Sequence, residues 1–152
     1  MIVSEKALTW ALRFYPPLLL QRVWVKKIKK DFLGAEVKVS KSIFNINFNR
    51  SIFGGTIFAA TDPFFAVCLF QILTKKGYKV RVWTKSASIQ FIKPAYTSLH
   101  FSFSISDDQI NEICNELNSD RKCSKSYPLE IFDTKGELCA FVSTEVHVRK
   151  TG

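Results

Sequence analysis

The feature that most restricts how this chain can fold is a long apolar run over residues 53–73. Two glycines stand near its beginning, and only Asp62, Pro63 and Gln71 interrupt it. About 20 apolar residues can cross a membrane, but an ionisable residue beside a proline near the middle argues against a membrane span. A helix that is apolar on every side is instead buried on every side, as when a sheet wraps around it. We therefore predict a central buried helix over residues 54–75 and no membrane span.

The length and composition suit one folded domain. The chain has 152 residues, of which 47% are hydrophobic and 23% are charged. A chain of this size buries roughly 68–70% of the surface that its unfolded form exposes, and the few Gly and Pro residues exclude disordered and fibrous classes. We predict a single domain over residues 1–152, with no repeat and no low-complexity segment.

The cysteine pattern gives no sign of a metal or redox site. The four cysteines have neither a C-x-x-C spacing nor histidines at metal-ligand spacing, so we expect reduced thiols, no metal and no cofactor. The first 20 residues carry Lys6 and Arg13 inside an apolar stretch and lack a small-residue cleavage site. This argues against a signal peptide and predicts a cytoplasmic protein. The cysteines are Cys68, Cys114, Cys123 and Cys139.

The net charge of +9 favours an anionic partner, which can be a phosphorylated small molecule, a nucleic acid or a membrane surface. The alternative is that the basic residues form solvated strand faces. The chain has no P-loop, no G-x-G-x-x-G and no motif that reads DNA or RNA, so we expect no nucleic-acid partner. The densest basic cluster comprises Arg22, Lys26, Lys27, Lys29 and Lys30.

Hydrophobic periodicity predicts the order helix, two strands, buried helix, two strands, short helix, two strands. Ser4 can cap an amphipathic N-terminal helix over residues 1–16, which a Pro-Pro pair ends. Residues 97–105 alternate strictly between apolar and polar side chains and predict a strand with one buried face. Ser106 with Gln109 forms a capping box that begins the short surface helix. The other predicted strands span residues 22–32, 35–40, 79–92, 127–132 and 138–149, and the last two flank a turn at residues 133–136.

The glycine pair Gly54-Gly55 stands where the predicted buried helix begins. Glycine lets a ligand approach the backbone closely, and the free N–H groups of a first helical turn can donate to an oxyanion or a thioester carbonyl. The alternative is that the two glycines only let the chain turn tightly against the sheet. The residues alone leave both interpretations open.

Asp62 is the only carboxylate between Glu36 and Asp107, and it lies in the most apolar part of the chain. Because an unpartnered buried carboxylate is costly, Asp62 is either a satisfied structural group or a group kept for chemistry. Asp62 followed by Pro63 also fits a helix N-cap with proline in the first turn. The two histidines, His100 and His147, lie in strand patterns, so no Ser-His-acid triad is indicated. Hydrolysis would need a carboxylate nucleophile or an acid-activated water.

Three segments together resemble a known family. Asn47, the Phe53-Gly54-Gly55 tripeptide, Asp62 and the Ile-Gln-Phe-Ile-Lys-Pro sequence at residues 89–94 are similar to hot-dog thioesterases of the phenylacetate-pathway type. Residues 53–64 with residues 82–89 resemble more closely a thioesterase-like branch of that superfamily, described as a domain of unknown function. The resemblance extends from about residue 16 to residue 149.

This resemblance implies an α+β hot-dog fold, in which a curved antiparallel sheet wraps around a central helix. It also implies a homodimer or a dimer of dimers with sites at the subunit interface, and an acyl-CoA or similar thioester as substrate. By the same resemblance, Asp62 would attack the thioester or activate water. Phe53 stands where the phenylacetate type usually has His, and Thr84 where many members of the closer branch have Asp. The other expected site residues are Gly55 and Thr56 as backbone donors and Asn47, Phe53, Gly54, Lys85 and Lys93 as substrate contacts. The two lysines are expected to meet the CoA phosphates from the partner subunit.

Three functions are therefore compared. The first is hydrolysis of acyl-CoA or a related acyl thioester by Asp62. The second is a non-catalytic module that binds acyl groups or acyl-CoA, which Phe53 in place of His would favour. The third, binding of nucleic acid or membrane by the basic surface, is supported by charge alone.

Overall fold

Six strands and five α-helices follow one another in the order that the sequence predicts, with two additional helices. The predicted strand over residues 22–32 is wrong in its last part, because the chain leaves the sheet after Ile28 and forms a short 3-10 helix at Lys30–Phe32. The computed structural model describes all residues from 1 to 152. The additional helices are a short one after the N-terminal helix and one that precedes the central helix. The helices are α1 (Glu5–Arg13), α2 (Pro16–Leu20), α3 (Gly54–Ala59), α4 (Asp62–Lys75) and α5 (Asp107–Ser119), and the strands are β1 (Val23–Ile28), β2 (Gly34–Val39), β3 (Val80–Phe91), β4 (Leu99–Ser104), β5 (Lys122–Asp133) and β6 (Leu138–Lys150).

The strands form one antiparallel sheet in the order β1-β2-β4-β5-β6-β3. β5 and β6 form the predicted hairpin, in which Gly136 has a φ of 79° in the turn. Glycine adopts this left-handed conformation without a steric penalty. β1 and β3 are the two edge strands, and β3 pairs only with β6.

The apolar run forms the centre of the core, where α4 packs against the sheet. The Phe65 ring lies 4.1 Å from the Phe103 ring on β4 and 4.8 Å from the Tyr127 ring on β5. Residues 54–75 are long and apolar enough to cross a membrane. An 18-residue window within them has a mean hydropathy of 1.7, yet 61% of that window is buried inside the protein. Its apolar side chains are therefore used in the core, as in the central helix of a soluble domain.

The run is divided into two helices, whereas the sequence predicts one over residues 54–75. α3 ends at Ala59, and α4 begins at Asp62, with Pro63 in its first turn. Proline has no N–H group and is unfavourable in a helix interior but well suited to a first turn. The chain therefore breaks the helix just before Pro63, and this break places Asp62 at a helix start.

The N-terminal helix has the predicted cap but a different end. The Ser4 hydroxyl accepts a hydrogen bond from the Ala7 N–H (3.1 Å), and Leu8 and Leu12 are buried. The helix ends at Arg13, and the two prolines begin α2 instead of only stopping α1. The fixed φ of proline, which is unfavourable inside a helix, suits this first turn. The N-terminal segment is thus a pair of helices and not one helix over residues 1–16.

The second half of the chain follows its sequence patterns closely. The apolar side chains of β4 are buried and the polar ones are exposed, and both hydrogen bonds of the capping box at Ser106 are present. β5 begins at Lys122 and not at residue 127, as the sequence predicts. Residues 122–126 are mostly polar and gave no strand signal, but pairing with β6 makes them part of the sheet.

Candidate functional site

A cavity of about 410 Å³ opens where the break between α3 and α4 faces α2 and β3. Two of the residues that the sequence singled out, Gly55 and Asp62, line this same cavity. The break in the apolar run is what brings the last turn of α3 and the first turn of α4 to one place. The other lining residues are Tyr15, Pro17, Leu18, Gln21, Phe58, Ala59, Thr61, Pro63 and Ala87.

Asp62 is exposed, whereas its apolar sequence neighbours suggested burial. Its carboxylate has no hydrogen-bond or ion-pair partner in the chain, and it does not cap α4. The Thr84 hydroxyl on β3 donates to the backbone carbonyl of Asp62 (3.2 Å) and so ties the start of α4 to the sheet. A negative charge is favourable in the first turn of a helix. The backbone of Asp62 is therefore fixed by Thr84, while its carboxylate lies at the cavity without a partner.

The backbone N–H groups of Gly54 and Gly55 donate to no acceptor in the chain. The Thr56 N–H, in contrast, donates to the Phe53 carbonyl (3.0 Å) inside α3. Of the two predicted backbone donors, only Gly55 is therefore available to a substrate. Gly55 is exposed, but Thr56 is buried.

Two phenyl rings lie directly against the backbone of the two glycines. A Cβ atom on Gly55 would lie 2.4 Å from Phe53 Cε1, and one on Gly54 would lie 2.9 Å from Phe91 Cζ. The rings are themselves 56% (Phe53) and 55% (Phe91) exposed. This packing supports the interpretation that the glycines allow close approach, here of the protein's own side chains. It also places Phe53 beside the free amide of Gly55.

The structure does not bring Asn47 to the cavity. Its side-chain oxygen accepts hydrogen bonds from the backbone N–H groups of Asn49 (3.0 Å) and Ser51 (3.2 Å), and its amide donates to the Ser51 hydroxyl (2.9 Å). These bonds hold the tight loop that precedes α3. A direct contact between Asn47 and substrate stays a prediction.

Lys85 and Lys93 also lie outside the cavity, and each has a carboxylate partner. Lys85 Nζ lies 3.3 Å from Glu145 Oε1. Lys93 Nζ lies 3.0 Å from Asp133 Oδ2 and also contacts Glu137. Burial alone would raise the pKa of Asp133, but hydrogen bonds from the Lys93 ammonium and the Lys135 amide hold it below its ordinary value. Both lysines are thus partly neutralised within the chain.

Sequence reasoning missed the wall that α2 contributes to the cavity. Tyr15, Pro17, Leu18 and Gln21 line the cavity together with Asp62. A proline pair can begin a helix as well as end one, so the signal for α2 was present but ambiguous. Ala87 on β3 was missed because nothing in an exposed strand sequence marks which small residue borders a cavity.

Several exposed apolar side chains lie at the cavity, at the start of α3 and at the end of β3. Phe53, Phe58, Phe91 and Ile92 are all large, apolar and exposed, and we call them the edge cluster. Phe53 lies against Gly55 and Phe91 against Gly54, so both rings lie near the start of α3. Contiguous exposed apolar residues beside an open sheet edge are typical of an association surface.

Comparison with known proteins identifies a family and a fold. A family model described as Domain of unknown function (DUF4442) matches residues 5–148. No curated protein matches the chain in sequence. One similar solved structure, from Pseudomonas aeruginosa, is a protein of unknown function described as a probable thioesterase. It has a TM-score of 0.86 at 14% identity, and 99% of each chain is covered.

Two further solved structures have the same fold. The PaaI protein of the phenylacetic acid degradation operon of E. coli has a TM-score of 0.64 at 13% identity, covering 98% of this chain and 97% of that one. A thioesterase from Haemophilus influenzae has a TM-score of 0.71 at 9% identity, covering 99% and 93%. At such identities the similarity shows the fold alone. The predicted α+β hot-dog fold is thereby confirmed.

Proposed function

The chain belongs to the family described as Domain of unknown function (DUF4442), and from this membership, its fold and its cavity we propose that it hydrolyses acyl-CoA or a related acyl thioester. One observation carries the proposal: the unpartnered carboxylate of Asp62 and the free N–H of Gly55 line the same cavity. A base and an oxyanion donor are the two groups that thioester hydrolysis requires. The thioesterases among the structures with this fold support the same activity.

In the proposed reaction the thioester carbonyl oxygen accepts a hydrogen bond from the Gly55 N–H. Asp62 removes a proton from water as the water oxygen bonds to the carbonyl carbon, and the Gly55 amide stabilises the negative charge that forms on the carbonyl oxygen. The carbon–sulfur bond then breaks, and the leaving thiolate takes up a proton. In the alternative course Asp62 itself attacks the carbonyl carbon, and water hydrolyses the resulting anhydride. Leu18, Phe58 and Ala59 give the acyl group an apolar wall.

The proposed enzyme is a homodimer or a dimer of dimers that associates through β3. β3 has 12 residues, pairs only with β6 and leaves its other edge open. Pairing of this edge with a second copy would cover the edge cluster and enclose the cavity, because Ala87 of β3 lines it. A cavity that excludes water strengthens the hydrogen bond to a developing oxyanion.

The second candidate function is binding of an acyl thioester without hydrolysis. The observation in its favour is the position of Phe53, whose ring lies against Gly55. The phenyl ring offers no polar group where the phenylacetate type usually has His. In this case the cavity would hold the acyl group, and Asp62 would only place a favourable charge at a helix start.

A hydrolysis screen across short, long and aromatic acyl-CoAs, with three variants, separates the two functions. Asp62→Asn should lower turnover by roughly two to four orders of magnitude, the usual effect of losing a general base, and should leave acyl-CoA binding largely intact. Asp62→Ser removes the carboxylate and leaves a smaller polar side chain at the exposed start of α4, so it serves if Asp62→Asn fails to fold. The matched control is Asp108→Asn, which removes a carboxylate from the first turn of α5.

Hydrolysis by the wild type that survives in Asp62→Asn would disprove the role of Asp62. If the wild type instead binds acyl-CoA but hydrolyses none of the acyl-CoAs tested, the second function is established. Equal loss of turnover in Asp108→Asn would show that the effect comes from the helix and not from the cavity.

A further inference from the structure

A second groove, of about 770 Å³, lies where β3 and β5 begin and β6 ends. It is on the face of the sheet that points away from α4, because the neighbours Val82, Val148 and Cys123 point into the hydrophobic core. Its lining is basic, with Asp120 as its one carboxylate. The lining residues that matter here are Arg81, Trp83, Asp120, Arg121, Lys122 and Arg149.

Three of these cations form a row across three neighbouring strands. Arg149 on β6 stands directly opposite Arg81 on β3 and directly opposite Lys122 on β5. Like charges that face each other across an antiparallel pair are destabilising. We call these three residues the cation row. The three neighbouring positive charges are therefore expected to lower the stability of the sheet.

The cation row has no carboxylate partner, in contrast to three lysines elsewhere on the strands. Arg81, Lys122 and Arg149 form no ion pair, and the Asp120 carboxylate accepts a hydrogen bond from the Ser119 hydroxyl (3.0 Å) instead. Several other strand lysines are paired, whereas Lys26 and Lys38 are not. The pairs are Lys27 with Glu36, Lys85 with Glu145, and Lys125 with Glu112 and Glu116.

An aromatic surface lies beside the cation row, one position further along the same face. Trp83 on β3 stands opposite His147 on β6, with ring centroids 4.6 Å apart, and Trp83 is 43% exposed. The pKa of His147 is lowered, first by burial and then by the charges of Lys85, Lys122 and Arg149, while Glu145 acts in the opposite direction. The local potential next to Trp83 is therefore positive.

We propose that this groove binds a nucleotide with at least two phosphate groups, with the phosphates on the cation row and the base against Trp83. Arginine guanidinium groups bind phosphate oxygens in pairs of parallel hydrogen bonds, and aromatic side chains stack on bases of any identity. The ligand can be a free nucleotide or the nucleotide portion of CoA, since both carry this chemistry. The groove is separate from the Asp62 cavity, because Ala87 and Trp83 point to opposite faces of β3.

Isothermal titration with ADP, CoA and adenosine at about 0.1 M salt tests the proposal without any thioester. ADP or CoA should bind at least about 10-fold more tightly than adenosine, and Arg149→Gln should weaken that binding at least about 10-fold, as expected for losing charged hydrogen bonds. Lys38→Gln is the control, because it removes the same charge from an exposed position on β2. Arg81→Gln is the second variant if Arg149→Gln fails to fold.

The relative affinities also identify the source of the ligand. Equal affinities for ADP and CoA would assign a free nucleotide, and an affinity for CoA at least 10-fold higher would assign the nucleotide portion of CoA. The proposal is overturned if adenosine binds as tightly as ADP and CoA, or if Arg149→Gln and Lys38→Gln behave alike. It is also overturned if a single-stranded oligonucleotide binds at least 100-fold more tightly than ADP, which would indicate a nucleic-acid surface.

Proton NMR of the two histidines provides a readout that does not depend on enzyme activity. Bound phosphates should raise the pKa of His147, because they offset the neighbouring positive charges. His100 lies on β4, stacked near Phe132, and serves as the internal reference. A titration in which ADP shifts neither histidine, or shifts both equally, would contradict the assignment.

Discussion

The two edge strands of the sheet differ in whether their outer edge is covered. β1 has six residues, and α1 closes its edge with side chains. Arg13 donates hydrogen bonds to the carbonyls of Val25 (2.8 Å) and Lys26 (2.9 Å), and the Thr9 hydroxyl accepts one from the Ile28 N–H (3.2 Å). β3 has 12 residues, and nothing pairs with its outer edge.

The difference supports the proposed association of two copies through β3. Proteins protect sheet edges because an open edge can pair with another chain. α1 protects the β1 edge, whereas the open β3 edge carries the exposed ring of Phe91 and borders the Asp62 cavity through Ala87. An edge that is open beside a candidate site is best explained by pairing with a second copy.

The largest effect is expected from blocking the β3 edge. The Ile92 N–H donates to Cys139 on β6, and N–H directions alternate along an antiparallel strand, so the Ile89 N–H points outward. Ile89→Pro should therefore keep the β6 pairing but prevent pairing with a second copy. We expect a monomer and a loss of turnover of about 100-fold, the usual effect of misplacing catalytic groups by about 1 Å.

The control for this prediction is Ile89→Ala, which removes the same side chain but keeps the N–H group. Sedimentation and thioester hydrolysis should find Ile89→Ala dimeric and active. If Ile89→Pro keeps both the dimer mass and the turnover, the β3 edge is not the interface.

A smaller effect is expected from opening the β1 edge. Arg13 donates two hydrogen bonds to β1 and lies between the rings of Trp10 (4.5 Å) and Trp24 (4.7 Å). Arg13→Ala should lower the free energy of unfolding by about 1–3 kcal/mol, since hydrogen bonds to a charged group are lost. Urea denaturation measures this change, and Lys6→Ala on the same helix is the control. A change equal to that of the control would mean that α1 does not protect the edge.

The smallest effect is expected for the pH dependence of stability that comes from His147, which stands opposite Trp83 of β3. Burial and neighbouring cations lower the pKa of His147, so the unfolded chain binds a proton at a higher pH than the folded chain. Stability from this group is complete above the unfolded pKa of about 6.5 and is lost as the pH falls below it. The unfolding free energy should therefore fall between about pH 7.5 and pH 5.5, and less so in His147→Asn. An equal fall in His147→Asn and His100→Asn would contradict this.

Much of the fold could be predicted because its signals are local. The alternation along β4, the capping box at Ser106 and the turn at Gly136 each lie within a few residues. The first five residues of β5 could not be predicted, because their strand conformation comes from pairing with β6. The role of the prolines in α2 was ambiguous, since proline can end one helix and begin another.

Less of the candidate site could be predicted, because it depends on which groups meet in three dimensions. Gly55 and Asp62 were identified because glycine and an isolated carboxylate stand out in an apolar run. The surroundings of these two residues could not be predicted. The exposure of Asp62, for example, follows from the helix break before Pro63. Likewise, only tertiary structure shows that Lys85 and Lys93 have carboxylate partners on other strands.

The measurement that most directly tests the central claim is thioester turnover per chain, recorded with the sedimentation coefficient over one dilution series. The claim is that two copies join through the open β3 edge and together form the active cavity. It predicts that turnover per chain falls in step with the fraction of dimer, and that the monomer of 17.4 kDa is inactive. A stable monomer at micromolar concentration with full turnover per chain would contradict it.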